Sequence, residues 1–458
     1  MMILRAFPLM AVVGFACALG SSAEAKEMKA GIARVVITPS QPTWLSGYSN
    51  RDKPAQGKVH DLFAKAAAFE SADGKRFVLI TTDLGSVYQK LTDDVCRAVH
   101  EKHGLDPSQI VINVSHTHCA PEVAAERIVF HDLAPEEEEK LAKYIERELT
   151  PKLIQIVDAA IQDLNPAKLL LSQSSAAFGS NRRLFRDGTV VNDKNPEGVT
   201  DHDVPVMQIV SPEGKLRGVL FGYACHNTTL AFYEYCGDYA GFAQENVERA
   251  HPGTIAMFVM GCGGDQNPYP RHGPEGLDHC RRHGRELGDA VEQALASKQT
   301  EIQGPLKVGF ETVTLELEPL PPIAQLEKEA EGPNGHPRRK ARYLLGEIKK
   351  HGKVPLTQTC PIHAVRFGQE LLFIAVSGET VVDYSRKPKA EYAGGPMVWV
   401  AGYCDDVFAY LPSLRVLQEG GYEGRTGIIH QLVATPFATS VEDRVMGGIR
   451  KAVAETGE

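Results

Sequence analysis

His116-Thr117-His118 sets two imidazoles two residues apart. In an extended segment, residues i and i+2 point to the same side, so both rings face one site. His226 and Glu379 each follow closely on an apolar run, and imidazole nitrogen with carboxylate oxygen is the donor set of hydrolytic zinc. A catalytic zinc keeps one position open for water, whose pKa falls to about 7, so hydroxide is available at neutral pH. Ligands drawn from segments so far apart in the chain suit a folded catalytic cleft better than a compact structural finger. Residue type and spacing alone leave an alternative open: His-x-His serves equally as two structural histidines, and His226 or Glu379 as a satisfied core group. His202, in Asp201-His-Asp203, precedes an apolar run instead of following one, and a structural role is expected for it.

Six apolar, β-branched runs must position these groups, and each breaks off into small and polar residues. Phe77–Thr82 ends in Asp83, Ile110–Val114 in Ser115-His-Thr-His118, and Gly218–Ala224 at His226. Ile255–Met260 ends in Gly261-Cys-Gly-Gly-Asp265, Leu371–Val376 in Ser377-Gly-Glu379, and Met397–Ala401 in Tyr403-Cys-Asp-Asp406. Near-continuous apolar runs of this length suit buried central strands flanked by helices, and in such sheets the ligand site lies outside the carboxyl ends of the strands. Apolar and charged residues alternate at helical spacing over Leu91–His103, Pro135–Leu164, Asp278–Ser297 and Ile323–His351. The predicted class is α/β: a mixed, largely buried β-sheet core flanked by helices, with a metal site at strand ends. No internal repeat or low-complexity linker divides the chain. Residues 318–355 read as a charged helical insertion, better suited to a solvated surface than to a lid.

The 458 residues are 43% hydrophobic and 23% charged, an ordinary globular composition. A formal charge of −9 speaks against a nucleic-acid partner. Arg5, the apolar run Ala6–Gly20 and Ala23-Glu24-Ala25 match a cleaved leader. Residues 1–25 are therefore expected to be a signal peptide, and 26–458 an exported mature protein. No later segment reaches the roughly 18 unbroken apolar residues of a membrane span. The eight cysteines beyond the leader contain no Cys-x-x-Cys pair and are expected to be buried free thiols. The oligomeric state is not encoded in any motif.

Gly31-Ile-Ala-Arg-Val-Val-Ile-Thr-Pro39, Ser46-Gly-Tyr48, Val59-His-Asp-Leu-Phe-Ala-Lys65 and Asp83-Leu-Gly85 resemble the opening of the neutral ceramidase family. The resemblance continues in order through Ser115-His-Thr-His-Cys-Ala-Pro121, Asn181-Arg182, Gly264-Asp265 to Pro268, Gly378-Glu379 and Tyr422-Glu423. It implies a zinc amidase cleaving the N-acyl bond of ceramide. It further implies that His116, His226 and Glu379 hold Zn2+ with Tyr410 approaching it, and that His118, Arg182 and Tyr422 face the substrate. Asn267, in Gly264-Asp-Gln-Asn-Pro268, stands where the family carries a substrate-facing Ser, and Asp83 where it usually has Glu. The family's C-terminal β-sandwich is not expected here, since the chain stops soon after the last motif. A smaller or more polar amide, or an ester, is accordingly an alternative to ceramide, and contact with a membrane surface is compatible with a lipid substrate.

Rival chemistries fit less well. No Gly-x-Ser-x-Gly elbow occurs, and a Cys119 nucleophile beside His118 is a weaker account than a metal. A non-catalytic secreted binding protein would not need all of His116, His226, Glu379 and Tyr410. The sequons at Asn113 and Asn227 adjoin the candidate ligands and are expected to be buried.

Overall fold

The computed structural model describes residues 28–123 and 133–457; the leader predicted over 1–25 lies outside the described residues. The six apolar runs are strands, and they form three parallel pairs, each at the edge of a different sheet. Arg76–Thr82 pairs with Ile110–Val114, Leu216–Tyr223 with Ile255–Met260, and Leu371–Val376 with Met397–Ala401. A parallel pair needs a crossover, and a helix supplies it each time: Gln89–His103, Asp238–Ala250 and Asp383–Glu391.

Around each pair the chain repeats one path. Two further antiparallel strands precede the pair: Lys29–Val36 and Phe63–Glu70, Lys168–Ser175 and Asp203–Val210, Leu306–Glu316 and Thr357–Phe367. A second helix then packs across those two strands: Thr150–Gln162, Gly276–Ala296 and Val441–Glu455. The molecule is thus three units of the same topology, although no repeat is visible in the residues. Each unit's long insertion falls at the same place, between its first and second strands. These insertions carry residues 37–62, the hairpin Gly179–Arg186/Thr189–Asn195, and the helices Ile323–Ala330 and His336–His351.

One apolar core joins all three sheets, with Phe69 and Phe77 from the first, Met207 and Leu220 from the second, and Phe367, Phe373 and Trp399 from the third. At the strand ends one polar residue ties the units together. The buried Asn113 amide donates to the carbonyls of Met260 (3.2 Å) and Gly402 (2.7 Å), and its oxygen accepts the Met260 N–H at 2.8 Å. Asn227 is also fully buried, so neither sequon is a surface acceptor.

Two predicted helices are divided. Pro151 lacks the N–H that would close a turn on the carbonyl four residues earlier, and the helix widens over Ile145–Leu149 before resuming. The 323–351 segment breaks at Glu331-Gly-Pro-Asn-Gly335, where glycine and proline cannot continue a helix. The charged insertion is not wholly a solvated surface. Leu326, Ala330, Ala341 and Leu344 are buried, and the Lys340 ammonium donates to the carbonyls of Gln431 (2.5 Å) and Val433 (2.6 Å).

Burial pulls the Lys340 pKa from its ordinary 10.5 down to about 7. Between these values the folded protein binds fewer protons than the unfolded chain, so Lys340 makes stability rise with pH across that window. Lys340→Met is expected to flatten the rise and, by orphaning two carbonyls, to cost about 1–3 kcal/mol near pH 9. Melting midpoints of both proteins at intervals from pH 7 to 10 check this; parallel curves would remove Lys340 as the cause.

Candidate metal centre

His116 Nδ1 donates to the Gly85 carbonyl at 2.5 Å, and His226 Nδ1 to the Gly263 carbonyl at 2.7 Å. A carbonyl only accepts, so each Nδ1 carries the ring proton and each Nε2 presents a lone pair. Both lone pairs face one oxygen: Glu379 Oε2 lies 3.3 Å from His116 Nε2 and 3.5 Å from His226 Nε2. That oxygen is buried and lacks a hydrogen-bond partner. Three proton-free electron pairs within 4.8 Å of one another repel unless a cation lies among them. The donor set therefore fits a metal ion, and two nitrogens with one carboxylate fit zinc.

Electrostatics agrees with this arrangement. Burial and the Arg182 charge hold the His226 pKa down to about 3, leaving its ring neutral for ligation. One ligand comes from each unit: His116 after the fourth strand of the first, His226 and Glu379 after the third strands of the second and third. His116 adopts φ 62°, uncommon for a residue with a Cβ; its N–H bond to the Leu84 carbonyl (2.9 Å) and its ring bond hold it there.

Tyr410 is set beside Glu379 by a two-residue parallel pairing. Its hydroxyl lies 3.4 Å from His226 Nε2 and accepts from Arg182 Nη2 at 3.0 Å. Arg182 is fixed on its other sides: Nε donates to Glu423 Oε1 (2.7 Å) and Nη1 to Asn267 Oδ1 (3.1 Å). Glu423 Oε2 accepts from Arg183 Nη1 at 2.7 Å, so one buried carboxylate clamps two guanidiniums. The Tyr422 ring stands 5.3 Å from that of Tyr410.

His118 Nε2 is 3.2 Å from His116 Nε2, and its Nδ1 has no partner. Burial and the neighbouring His116 and His226 hold its pKa well below the usual value. A Cβ at Gly47 would sit 2.2 Å from the His118 ring, which explains the glycine of Ser46-Gly-Tyr48. All eight residues assigned to the site from sequence are thus gathered together. Asn267, however, is fully buried behind Arg182 and orients it without lining the cleft. Asp83 is also structural, accepting the Phe63 N–H (2.9 Å) and a Gln244 amide proton (3.2 Å). His202 bonds the Gly179 carbonyl, as expected of a structural residue.

A cleft of about 180 Å³ opens over the three ligands. The insertions of all three units wall it through Ser46, Arg182 and His336. His336 meets His430 edge-on at 4.3 Å, so the charged insertion reaches the cleft mouth at one end. Arg183, Glu423, Arg271 and Asn113 were not assigned roles from sequence; Tyr422-Glu423 was the one local signal available.

The family model described as neutral/alkaline non-lysosomal ceramidase, N-terminal, matches residues 29–259, half of the chain. The chain belongs to this ceramidase family. The family match spans His116, His118, Arg182 and His226, while Glu379, Tyr410 and Tyr422 lie beyond it. The neutral ceramidase of Pseudomonas aeruginosa is 23% identical over 362 residues, 74% of this chain and 51% of that protein. Neutral ceramidase A of Dictyostelium discoideum is 23% identical over 259 residues, 52% of this chain and 35% of that protein. The chain therefore spans about half the length, or less, of these curated ceramidases. The crystal structure of the Pseudomonas aeruginosa enzyme superposes with a TM-score of 0.73 at 19% identity, covering 94% of this chain and 74% of that one. A ceramidase complexed with C2 gives 0.72 at 19% identity, covering 93% and 75%. The mixed α/β ceramidase fold is thus shared across nearly all of this chain. Among the described residues, no helix is long and apolar enough to cross a membrane, and all eight described cysteines are free and buried.

Proposed function

We propose that this protein is an exported, zinc-dependent hydrolase that cleaves the N-acyl bond of a carboxamide. The observation that carries the reading is the unpartnered Glu379 Oε2 facing two imidazole lone pairs in a family of ceramidases. His116, His226 and Glu379 would hold the ion, with the Tyr410 hydroxyl beside them. When bound, the ion supplies Lewis acidity toward the amide carbonyl and a water acidic enough to ionise near neutrality.

The chain's own residues do the rest. The Arg182 guanidinium and the Tyr410 and Tyr422 hydroxyls are donors where negative charge grows on the carbonyl oxygen as the carbon becomes tetrahedral. Being locked by Glu423 and Asn267, Arg182 needs no reorganisation at that moment. His118, with a free Nδ1, is placed to receive a proton and hand it to the departing nitrogen, which must be protonated to leave as an amine.

The test is metal content of the purified protein together with amide hydrolysis before and after chelation, on substrates from ceramide to short N-acyl amines. About one zinc per chain and chelator-sensitive cleavage are expected. A protein that binds no metal and cleaves no amide would overturn the reading.

A further inference from the structure

Two features of the cleft bear on what it accepts. Among the described residues lining it there is no Ala, Val, Leu, Ile, Met, Phe or Trp. Burying an alkyl chain against such walls removes little apolar surface from water and gains little free energy. The second feature is Arg271. The cleft's other guanidinium, Arg182, is neutralised by Glu423, but no carboxylate among the described residues pairs with Arg271. The Arg271 guanidinium makes one side-chain hydrogen bond, from Nη1 to Thr228 Oγ1 (3.1 Å), and lies 5.9 Å from the Tyr269 ring centroid. Most of its five donors are left for something else.

Arg271 is also held in place. Its loop is tied by the Tyr269 N–H to the Phe178 carbonyl (3.1 Å) and by the His272 N–H to the Thr229 carbonyl (2.8 Å). Tyr48 bonds the His272 ring at 3.1 Å. Burial and the Arg271 charge keep that ring neutral, with its pKa down to about 4, so it adds no competing charge. From Arg271 a run of contacts leads to the metal ligands: Thr228 hydroxyl to Asn267 (3.4 Å), Asn267 to Arg182, Arg182 to Tyr410, and Tyr410 to His226. This fixed guanidinium, with no carboxylate partner among the described residues, thus lines the same cleft as His116, His226 and Glu379.

We propose that Arg271 receives a carboxylate of the substrate, so that the amide cleaved here is an N-acyl amino acid or a close analogue. This rests on the hydrolase reading above. A planar guanidinium matches a carboxylate with two parallel N–H···O bonds, which an alcohol of the same shape cannot supply. The lining accounts for the rest of the preference: it is rich in polar groups and offers an alkyl chain little more than the rings of Tyr48, Tyr410 and Tyr422.

The discriminating experiment compares fatty-acid release from N-acylglycine, the matching N-acylethanolamine and ceramide by the metal-replete protein. The glycine conjugate differs from the ethanolamide only by carboxylate for hydroxymethyl. Its kcat/KM is expected to be higher by about 10- to 100-fold, the range of a charged hydrogen bond. Arg271→Met should bring the ratio near one, chiefly through KM, and Arg271→Lys should fall between. Unchanged metal content and melting midpoint certify the variants as folded. A wild type that prefers the ethanolamide or ceramide, or a ratio that survives Arg271→Met, would overturn the assignment of Arg271 and leave the hydrolase standing. Cleavage of none of the three would overturn both.

Discussion

His116→Ala is expected to purify without tightly bound metal and to lose amide hydrolysis by at least about 10³-fold, more than a single oxyanion donor typically contributes. The reason lies in how few groups hold the site. Two imidazole nitrogens and one carboxylate oxygen converge within 4.8 Å, and each comes from a different unit. No neighbouring carboxylate or thiol among the described residues extends that group. The variant should still fold, because the Asn113 bonds between strand ends and the shared apolar core are untouched. Its stability should fall modestly, since Glu379 then keeps a buried charge with one imidazole beside it instead of two. Metal analysis, single-substrate kinetics and circular dichroism on the same sample check the three parts. A metal-replete, active His116→Ala protein would sink the assignment of the centre.

How much of this was legible in the residues differs by distance along the chain. The six strand runs could be read because a parallel strand buried on both faces is apolar throughout, and each ended where polar residues began. Those endings also pointed to His116, His226 and Glu379, since ligands collect at strand termini. The threefold repetition was invisible because topology repeats without residues repeating. Val78-Leu-Ile80, Val219-Leu-Phe221 and Phe373-Ile-Ala375 belong to the third strands of the three units and differ in their side chains, and close packing constrains total volume more than identity. Arg183 and Glu423 meet across 240 positions, and nothing local in either segment announces the other. The role of Arg271 was hidden for a related reason: an unpaired guanidinium is recognised by the absence of a partner, which only the folded surroundings reveal. His336 shows the remaining gap. A charged helix reads as solvated surface by composition, yet its first residue reaches the cleft because the turn at 331–335 redirects the chain.

Glu423→Ala should produce the largest loss of stability, about 3–5 kcal/mol, because it strips the shared counter-charge from two buried guanidiniums. Arg183 would retain Glu419 at 3.0 Å, but Arg182 would keep only the neutral Asn267 and Tyr410. Burial pushes the Glu423 carboxyl up, and Arg182 and Arg183 overcome this to hold it below its ordinary 4.5. A depressed carboxyl stabilises the fold above the unfolded pKa and stops doing so as pH falls through the folded value. Wild-type stability should therefore decline in acid more steeply than that of Glu423→Ala. Turnover should drop by roughly 10²-fold as Arg182 loses its orientation, while metal content stays at the wild-type level. That split separates Glu423 from the ligands, whose removal takes metal and activity together. Pairing Glu423→Leu with Arg182→Met should cost less than the two single changes summed, because the double variant leaves only one cation short of a partner. Denaturant unfolding of the single and double variants measures the coupling. Additive costs, or a Glu423→Ala protein within about 0.5 kcal/mol of wild type, the range of an ordinary surface change, would show that the clamp does not hold Arg182 in place.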